Sequence, residues 1–270
     1  MSDLISVIMG IKYCRSELDT LRTSINSILA QTYTEFELII CERGSSEQAR
    51  SLLKDYQNAD SRVVLIDGSD TCSFSEQLNR CLEHAKGEWI ARMDDDDYSY
   101  PDRFACQLAY LREHDDISFV GCCVKLVQDG CDEGIQRFPE KPQVHDFLFS
   151  MPYIHPALMF RKQVLEAVSG YSTLPRCERC EDYDLLLRLY ENGFSGANLQ
   201  DVLFAYTLPH NGFSTRSMKD RINEFKTRLA RFKALKLLPG ALPYAVKPLV
   251  VGMIPARLLR YLKKRNRKSG

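Results

Sequence analysis

Four consecutive aspartates, Asp94 to Asp97, follow the apolar run Trp89–Met93 and have the residue types of a divalent-metal site. Hard cations such as Mg²⁺ bind one or two carboxylates and keep substrate phosphate oxygens as further ligands. A cation held in this way neutralises a departing diphosphate. The alternative is a solvated acidic turn ahead of a helix, where aspartates favour the positive end of the helix dipole. Four like charges repel one another unless a cation joins them, so the sequence favours the metal site.

The first 110 residues alternate between strand and helix patterns, and the aspartates stand at the end of the fourth strand. The predicted strands are Leu4–Ile11, Phe36–Cys41, Arg62–Ile66 and Trp89–Met93, and the predicted helices are Glu17–Ala30, Ser46–Gln57 and Ser73–Ala85. This alternation predicts an α/β fold with a doubly wound, mostly parallel sheet. Ligands bind such sheets outside the carboxyl ends of the strands. Along extended backbone, Asp94 and Asp96 would face one side, and Asp95 and Asp97 the other.

A second acidic pair opens a later helix. Residues 111–215 are less regular, with predicted strands at Ile117–Val127, Ile154–Arg161 and Val202–Leu208 and predicted helices at Val144–Ser150 and Glu181–Asn192. The last of these helices begins with Glu181 and Asp182. A carboxylate there is a candidate general base, and its position at a helix start would keep it ionised. The alternative is an acidic cap that only complements the helix dipole.

The C-terminal segment differs from the rest of the chain in charge. Residues 219–270 hold 15 Lys and Arg against 2 Asp and Glu, whereas the whole chain has a net charge of zero. The apolar stretch Leu237–Leu259 is broken by prolines, and a membrane-spanning helix needs about 20 predominantly apolar residues. An interrupted amphipathic segment with a cationic end suits an anionic membrane face. A solvated tail is the alternative, and the acidic body opposes a contact with nucleic acid.

The ten cysteines do not form the pattern of a disulfide-rich secreted protein. No signal sequence opens the chain, so we expect reduced thiols and a cytoplasmic location. Cys177 and Cys180 form one C-x-x-C pair, but no second pair completes a zinc site at a matching spacing. A coincidental pair in a loop on the acceptor side is the favoured interpretation.

The aspartate run also carries a family resemblance. The segment Trp89–Asp97, followed by Pro101-Asp102-Arg103-Phe104, resembles the D-x-D segment of the family 2 inverting glycosyltransferases with the GT-A fold. Other segments resemble parts of that family in the same order: Ile5–Met9, Ser27–Tyr33, Leu78-Asn79 ahead of Ala85–Glu88, Ile154–Pro156, Gly170-Tyr171 and Glu181–Leu185. The similarity covers roughly residues 4–215, and the ordered set is more specific than any single motif.

The resemblance implies roles for the candidate residues. Asp94 would contact the nucleoside, and Asp96 would ligate the Mn²⁺ or Mg²⁺ that bridges the diphosphate, with Asp97 as the reserve ligand. His210 falls where some relatives place another metal or phosphate contact. The aspartate of the Glu-Asp pair is the base in such enzymes, so Asp182 is the candidate, with Glu181 beside it. Inverting transfer is a single displacement in which the base removes the acceptor proton.

The donor pocket departs from the family pattern. Relatives usually carry Asp-Asp-Gly-Ser after the second strand, whereas this chain has Glu42-Arg43-Gly44-Ser45. Glu42 can replace a carboxylate with one more methylene group. Lys12 and Arg43 would contact the diphosphate directly or are ordinary surface cations. These changes leave the nucleotide open, with a UDP-sugar as the expectation from the family.

The sequence as a whole predicts a metal-dependent glycosyltransferase, a hexosyl- or N-acetylhexosaminyl-transferase of cell-surface polysaccharide or glycan synthesis. Residues 1–110 would bind the nucleotide-sugar, residues 111–215 would hold the acceptor and the base, and residues 216–270 would form a helical basic extension. The expected partners are the donor, a glycan or lipid-linked acceptor and the cytoplasmic membrane face, without nucleic acid. Two alternatives remain: a catalytically degenerate sugar-nucleotide-binding protein and a sugar-nucleotide pyrophosphorylase.

Overall fold

A computed structural model describes residues 3–12, 18–209 and 216–254. Within these ranges the chain forms eight α-helices and nine β-strands. The helices are α1 Leu18–Leu29, α2 Glu47–Ala59, α3 Phe74–His84, α4 Arg103–Glu113, α5 Lys162–Ala167, α6 Glu181–Glu191, α7 Met218–Ala234 and α8 Leu242–Met253. The strands are β1 Ile5–Lys12, β2 Phe36–Arg43, β3 Val63–Asp67, β4 Trp89–Arg92, β5 Tyr98–Ser99, β6 Phe119–Gln128, β7 Cys131–Gln136, β8 Met159–Arg161 and β9 Gly196–Thr207.

The N-terminal half has the predicted parallel sheet, in the order β3-β2-β1-β4. Ile5 of β1 lies beside Phe36 of β2 on one side and Trp89 of β4 on the other. The helices α2 and α3, which follow β2 and β3, begin at serine caps. Ser46 accepts a hydrogen bond from the Ala49 amide at 3.2 Å, and Ser73 forms a reciprocal capping box with Glu76. Such caps satisfy amides that the first helical turn leaves without partners.

Helices cover both faces of this sheet, as a doubly wound fold requires. Alternate residues of β1 enter two different cores. Ile5, Val7 and Met9 pack into the core that includes α1, whereas Ile8 packs into the core that includes α3 and α6. The predicted α/β fold class is therefore confirmed.

The sheet continues into the second half through mixed pairing, in the order β4-β8-β6-β9-β5, with β7 added on β6. β8 runs antiparallel to β4 and β6, whereas β9 runs parallel to β6. β5 lies antiparallel to β9, with Tyr98 beside Ala205. The aspartate run therefore lies between β4 in the middle of the sheet and β5 at its edge. One sheet crosses the predicted boundary at residue 110, and the functional division of the chain stays a prediction.

The single strand predicted over Ile154–Arg161 is wrong. The structure has a 3₁₀ turn at His155–Ala157 and only then the short strand β8. Pro156 explains the break, because proline fixes φ and lacks the amide that a sheet ladder needs. Sequence patterning also missed β5, β7 and α5. β5 has two residues, and β7 is exposed along its whole length, so neither has an apolar alternation to detect.

In the described part of the basic extension the chain forms the helices α7 and α8, and α7 begins with a capping box at Ser217. α7 packs against α6, where Arg231 donates to the Glu191 carboxylate at 2.8 Å. α8 packs in turn against α7. In the part of the chain that the structure describes, none of the helices combines the length and the apolar character needed to cross a membrane.

Candidate active site

The aspartate run leaves β4 in a turn, and three of its four carboxylates converge. One carboxylate oxygen from each of Asp94, Asp96 and Asp97 lies within 4.8 Å of the others. β4 ends at Arg92, and the turn falls at Asp95 and Asp96. The expectation that Asp97 faces away from Asp94 and Asp96 is therefore wrong, because the backbone is not extended there and strand alternation does not apply.

Helix α1 and Gln31, which lies two residues after its end, hold this turn from one side through three polar side chains. Ser24 donates its hydroxyl to the Asp94 carbonyl at 2.8 Å, and the Ser27 hydroxyl accepts the Ser99 amide at 3.1 Å. The Gln31 amide group donates to the Tyr100 carbonyl at 2.8 Å. Sequence analysis missed these contacts. Their signal was three polar residues, spaced by three and four, that lie buried on α1 and just after its end.

Strand β9 holds the turn from the other side. The Thr207 amide donates to Asp97 Oδ1 at 2.7 Å, and the Thr207 hydroxyl donates to the Asp96 carbonyl. Asp97 is only 2% exposed, and its second oxygen, Oδ2, has no hydrogen-bond partner among the described residues. A buried carboxylate oxygen without a partner is costly unless a ligand or cation satisfies it.

Burial and mutual repulsion make these carboxylates difficult to ionise together. Burial, and then the charges of Asp94 and Asp95, raise the pKa of Asp96 to about 7. Burial and the charge of Asp96 raise the pKa of Asp97 well above its usual range. Buried Arg92 donates to Asp94 and is the one guanidinium in contact with the cluster in the described ranges. The set of oxygen ligands and its excess negative charge fit a hard divalent cation such as Mg²⁺ or Mn²⁺.

The candidate donor-pocket residues lie at the same edge of the sheet. Lys12 of β1 pairs in register with Arg43 of β2, at the strand ends next to the end of β4. The Glu42 carboxylate accepts the Ser45 amide at 2.6 Å and so closes the turn after β2. Arg43 donates to the Thr71 carbonyl and ties this turn to the loop after β3. The Lys12 side chain lies outside what the structure describes.

The second acidic pair opens helix α6. Asp182 and Glu181 are half-buried at the first turn, and Asp182 Oδ1 accepts the Tyr183 amide at 2.7 Å. Burial and the neighbouring Asp182 raise the pKa of Glu181 to about 7. Burial also raises the pKa of Asp182, but the charge of Arg216 opposes that rise. Repulsion within the pair opposes the ionisation of both carboxylates at once, and the charge of Arg216 favours the ionised form of Asp182.

Arg216 comes from the start of the C-terminal extension, and sequence analysis missed it. Its guanidinium pairs with Glu224 at 2.7 Å, and Glu224 pairs with Arg228 at 3.0 Å. The Arg228 guanidinium lies over the Tyr183 ring, 4.6 Å from its centroid. This ladder of alternating charges joins α7 to the first turn of α6 and keeps a cation near Asp182.

The charges of both acidic groups act on two tyrosines, the buried Tyr171 and the half-buried Tyr206. Burial raises the pKa of Tyr206, and the charges of the aspartate cluster and of Asp182 raise it further. Burial likewise raises the pKa of Tyr171, Arg92 lowers it, and Asp94, Asp182 and Glu181 raise it. Both acidic groups therefore lie close enough to Tyr171 to act electrostatically on its hydroxyl.

Asn79 and His155, which come from two other segments of the chain, both contact Tyr171. Asn79 accepts the Tyr171 amide at 2.7 Å and donates to its carbonyl at 2.8 Å. His155 Nε2 lies 2.9 Å from the Tyr171 hydroxyl, and burial, followed by the charge of Arg92, holds the His155 pKa well below its usual range. His155 is therefore a neutral, buried and hydrogen-bonded imidazole. His210, the candidate histidine of the metal site, lies outside the described residues.

Comparison with known proteins identifies the family. The family model described as Glycosyl transferase family 2 matches residues 6–168, which include the whole aspartate run. The chain belongs to glycosyl transferase family 2. It is 35% identical to EpsE of Bacillus subtilis (strain 168), over 98% of this chain and 96% of EpsE. It is also 35% identical to the O-antigen biosynthesis glycosyltransferase WbnJ of Escherichia coli, over 80% of this chain and 83% of WbnJ.

Solved structures match the fold of this family 2 chain. S. aureus TarS 1–349 in complex with UDP-GlcNAc matches with a TM-score of 0.68 and 17% identity, over 92% of this chain and 70% of that one. The mannosyltransferase PcManGT from Pyrobaculum calidifontis, in complex with GDP-Man and Mn²⁺, matches with a TM-score of 0.63 and 18% identity, over 97% and 79%. At these identities the likeness establishes the GT-A fold.

Proposed function

We propose that this family 2 chain is an inverting glycosyltransferase that moves a sugar from a nucleotide-diphosphate donor to an acceptor hydroxyl. The observation that supports it most is the placement of two acidic groups on one site. Three carboxylates converge within 4.8 Å at the end of β4. Asp182 and Glu181, at the start of α6, act electrostatically on Tyr171, as Asp94 does. The aspartate cluster suits a metal-bound donor diphosphate, and the α6 carboxylates suit removal of the acceptor proton.

We assign the diphosphate end to the aspartate cluster. Asp96 and Asp97 would hold Mn²⁺ or Mg²⁺, with His210 as a further contact, and Asp94 would face the nucleoside. The oxygen donor set and the partnerless Oδ2 of Asp97 support this assignment. A divalent cation bound there neutralises charge on the departing diphosphate, so no acid has to protonate it.

The protein groups around the cluster position the donor. Thr207 and Ser24 fix the backbone of the turn, so the carboxylates are aimed before the donor arrives. Glu42, Arg43 and Lys12 line the adjacent strand ends and are the candidates for contacts with the nucleotide. UDP is the proposed nucleotide, since TarS binds UDP-GlcNAc, although PcManGT binds GDP-Man. The proposed transferred sugar is a hexosyl or an N-acetylhexosaminyl group.

We assign proton removal to Asp182. Its carboxylate would accept the acceptor hydroxyl proton while the diphosphate leaves from the opposite face of the sugar, which inverts the anomeric centre. Glu181 stands beside Asp182, and the charge of Arg216 supports the ionised form of Asp182. A late proton transfer allows a carboxylate to act as the base.

The proposal also covers the acceptor substrate and the cellular location of the enzyme. WbnJ is named for O-antigen biosynthesis, which favours a cell-surface polysaccharide or glycan as the product. We propose a glycan or lipid-linked acceptor, a cytoplasmic enzyme and a peripheral contact of residues 216–270 with the membrane. The division into nucleotide, acceptor and extension parts at residues 110 and 215 is proposed with it.

Calorimetric titration of the full chain with UDP, GDP and CDP, each with and without Mn²⁺, tests the proposal. We expect one nucleotide to bind in a metal-dependent manner and its sugar conjugate to be turned over. Binding without turnover or donor hydrolysis would favour the catalytically degenerate alternative, for which the altered residues Glu42 and Arg43 are the argument. No binding of any nucleotide would contradict the proposed site.

A further inference from the structure

Helix α8 exposes an unusual amount of apolar surface for a helix at the edge of a protein. Its twelve residues include a single charge, Lys247, which donates to the Phe149 carbonyl at 2.6 Å. Ala245 and Pro248 form its buried side. A helix that is apolar all round is normally buried, and an exposed apolar patch marks an interaction surface.

Three exposed apolar residues of α8, Leu242, Val250 and Met253, lie along one line, with the half-exposed Val246 and Leu249 between them. We call these five residues the α8 stripe, and the exposed Tyr244 lies on another side of the helix. With 3.6 residues per turn, these positions fall within about 100° of one another around the helix axis. Met253 is 79% exposed, Val250 54% and Leu242 45%. The stripe therefore presents a flat apolar edge that runs parallel to the helix axis.

Helix α7 extends this surface near its first turn. Met218 and Ile222 are exposed and stand one turn apart on α7. A Cβ atom added at Gly252 of α8 would lie 3.1 Å from Met218 Cε and 2.5 Å from Arg221 Cδ, so the two helices are in close contact there. The α8 stripe and the start of α7 thus form one surface with a cation beside it.

The charge of the surrounding sequence indicates what kind of surface binds the α8 stripe. From residue 225 to residue 270 the chain has 13 Lys and Arg and no Asp or Glu. Seven of these cations follow directly after α8: Arg257, Arg260, Lys263, Lys264, Arg265, Arg267 and Lys268. An apolar edge that continues into a cationic segment is complementary to a surface of acyl chains under anionic headgroups. A protein partner would have to be both apolar and strongly acidic to match it.

We propose that the α8 stripe is the surface by which this chain lies on an anionic lipid bilayer, with the cationic segment after it contacting the headgroups. The axis of α8 would lie in the plane of the membrane. The proposal deepens the membrane contact named in the proposed function and names the residues that enter the lipid.

Tryptophan reporters test which side of α8 meets lipid. Trp89 is the single tryptophan of the chain and is buried. Met253→Trp places a reporter on the α8 stripe, and Tyr244→Trp places the matched control about 180° away on the same helix, at an exposed position. On phosphatidylcholine vesicles containing phosphatidylglycerol, we expect brominated acyl chains to quench Met253→Trp and to leave Tyr244→Trp unchanged. Pure phosphatidylcholine should give little binding.

A charge-matched pair of variants tests the affinity. V250E/M253E introduces two carboxylates into the α8 stripe, and Q57E/N58E introduces two at exposed positions of α2. Flotation of the full chain with the anionic vesicles should weaken at least about ten-fold for V250E/M253E and remain near wild type for Q57E/N58E. Equal loss in both pairs would mean that only net charge matters and would overturn the proposal.

Other occupants of the stripe give distinct results. If vesicles bind but neither tryptophan is quenched, the cationic segment alone contacts lipid. If Met253→Trp is already blue-shifted and shielded without vesicles, another segment of the chain covers the stripe. If the chain forms a dimer that V250E/M253E dissociates, and vesicles do not bind, the occupant is a second copy. Each result overturns the proposal. Nucleotide titration without vesicles is scored separately, so failure of the membrane surface and failure of the active site are distinguishable.

Discussion

Thr207 makes two hydrogen bonds to the aspartate run, through its amide to Asp97 Oδ1 at 2.7 Å and through its hydroxyl to the Asp96 carbonyl. More than 100 residues separate these partners in the sequence. The contact joins the end of β9 in the second half of the chain to the turn after β4 in the first. It fixes the Asp97 carboxylate and the Asp96 backbone with one residue.

Replacing Thr207 with valine should weaken donor binding. Thr207→Val keeps the amide contact and the side-chain shape but removes the hydroxyl from the Asp96 carbonyl. A hydrogen bond of this kind contributes about 1 kcal/mol, so we expect Mn²⁺-dependent nucleotide affinity to fall about five-fold in calorimetry. Thr227→Val is the matched control, because Thr227 donates to the Arg176 carbonyl at 2.7 Å away from the cluster. Equal losses in both variants would argue against a positioning role for Thr207.

Replacing Asp96 with asparagine should remove metal-dependent donor binding. A charged ligand contact is worth about 1.5–3 kcal/mol, so Asp96→Asn should lower Mn²⁺ affinity at least about ten-fold, as measured by electron paramagnetic resonance. Asp95→Asn makes the same change in charge one residue away, at a carboxylate outside the group of three. We expect Asp95→Asn to stay near wild type. Indistinguishable Mn²⁺ binding by the two variants would exclude Asp96 as the ligand.

Much of this arrangement could be predicted from the sequence, because it depends on local patterns. The apolar run Trp89–Met93 and the acidic residues after it place a carboxylate site at a strand end, and the start of α6 places Asp182 at a helix terminus. The first four strands alternate with helices, and this alternation is typical of a parallel sheet whose strands are connected by helices. These features need no knowledge of which distant segments touch.

The missing parts depend on contacts between distant segments. Asp97 joins the cluster because Thr207 holds it, and the turn is fixed by Ser24 and Ser27 of α1 and by Gln31 just after that helix. Strand alternation alone would have sent Asp97 to the other side. The two-residue strand β5 has no pattern of its own and exists because β9 pairs with it. Arg216 lies next to Asp182 only because α7 packs on α6.

Removing Arg216 should move the acid limb of the pH–rate profile to higher pH. Burial already raises the pKa of Asp182, and the charge of Arg216 opposes that rise. The base must be ionised, so activity is lost as pH falls through its pKa, and Arg216→Gln should shift this loss upward. Arg216→Lys retains the charge and should restore the wild-type limb. If kcat/KM of Arg216→Gln falls by the same factor at every pH, Arg216 does not set the ionisation of Asp182.

Asp184 should be a structural residue although it stands two positions from Asp182. Its carboxylate is 1% exposed and pairs with Arg188 at 2.7 Å and Arg231 at 3.4 Å. Breaking a buried ion pair leaves uncompensated charge and costs about 3–5 kcal/mol, so Asp184→Asn should lower the free energy of unfolding by about that amount. Chemical denaturation measures it. Asp70→Asn, which breaks the exposed pair with Arg80, should leave stability unchanged, and a similar loss in both variants would contradict the assignment.

The most direct test of the central claim compares Asp182→Asn with the wild type in both binding and turnover. The account predicts that Asp182→Asn binds the donor nucleotide with Mn²⁺ as the wild type does, because the aspartate cluster is intact. It also predicts that release of nucleoside diphosphate from the sugar donor falls about 10²–10⁴-fold, the usual contribution of a general base. Near-normal turnover by Asp182→Asn would contradict the account, and so would a loss of nucleotide binding that matches the loss of turnover.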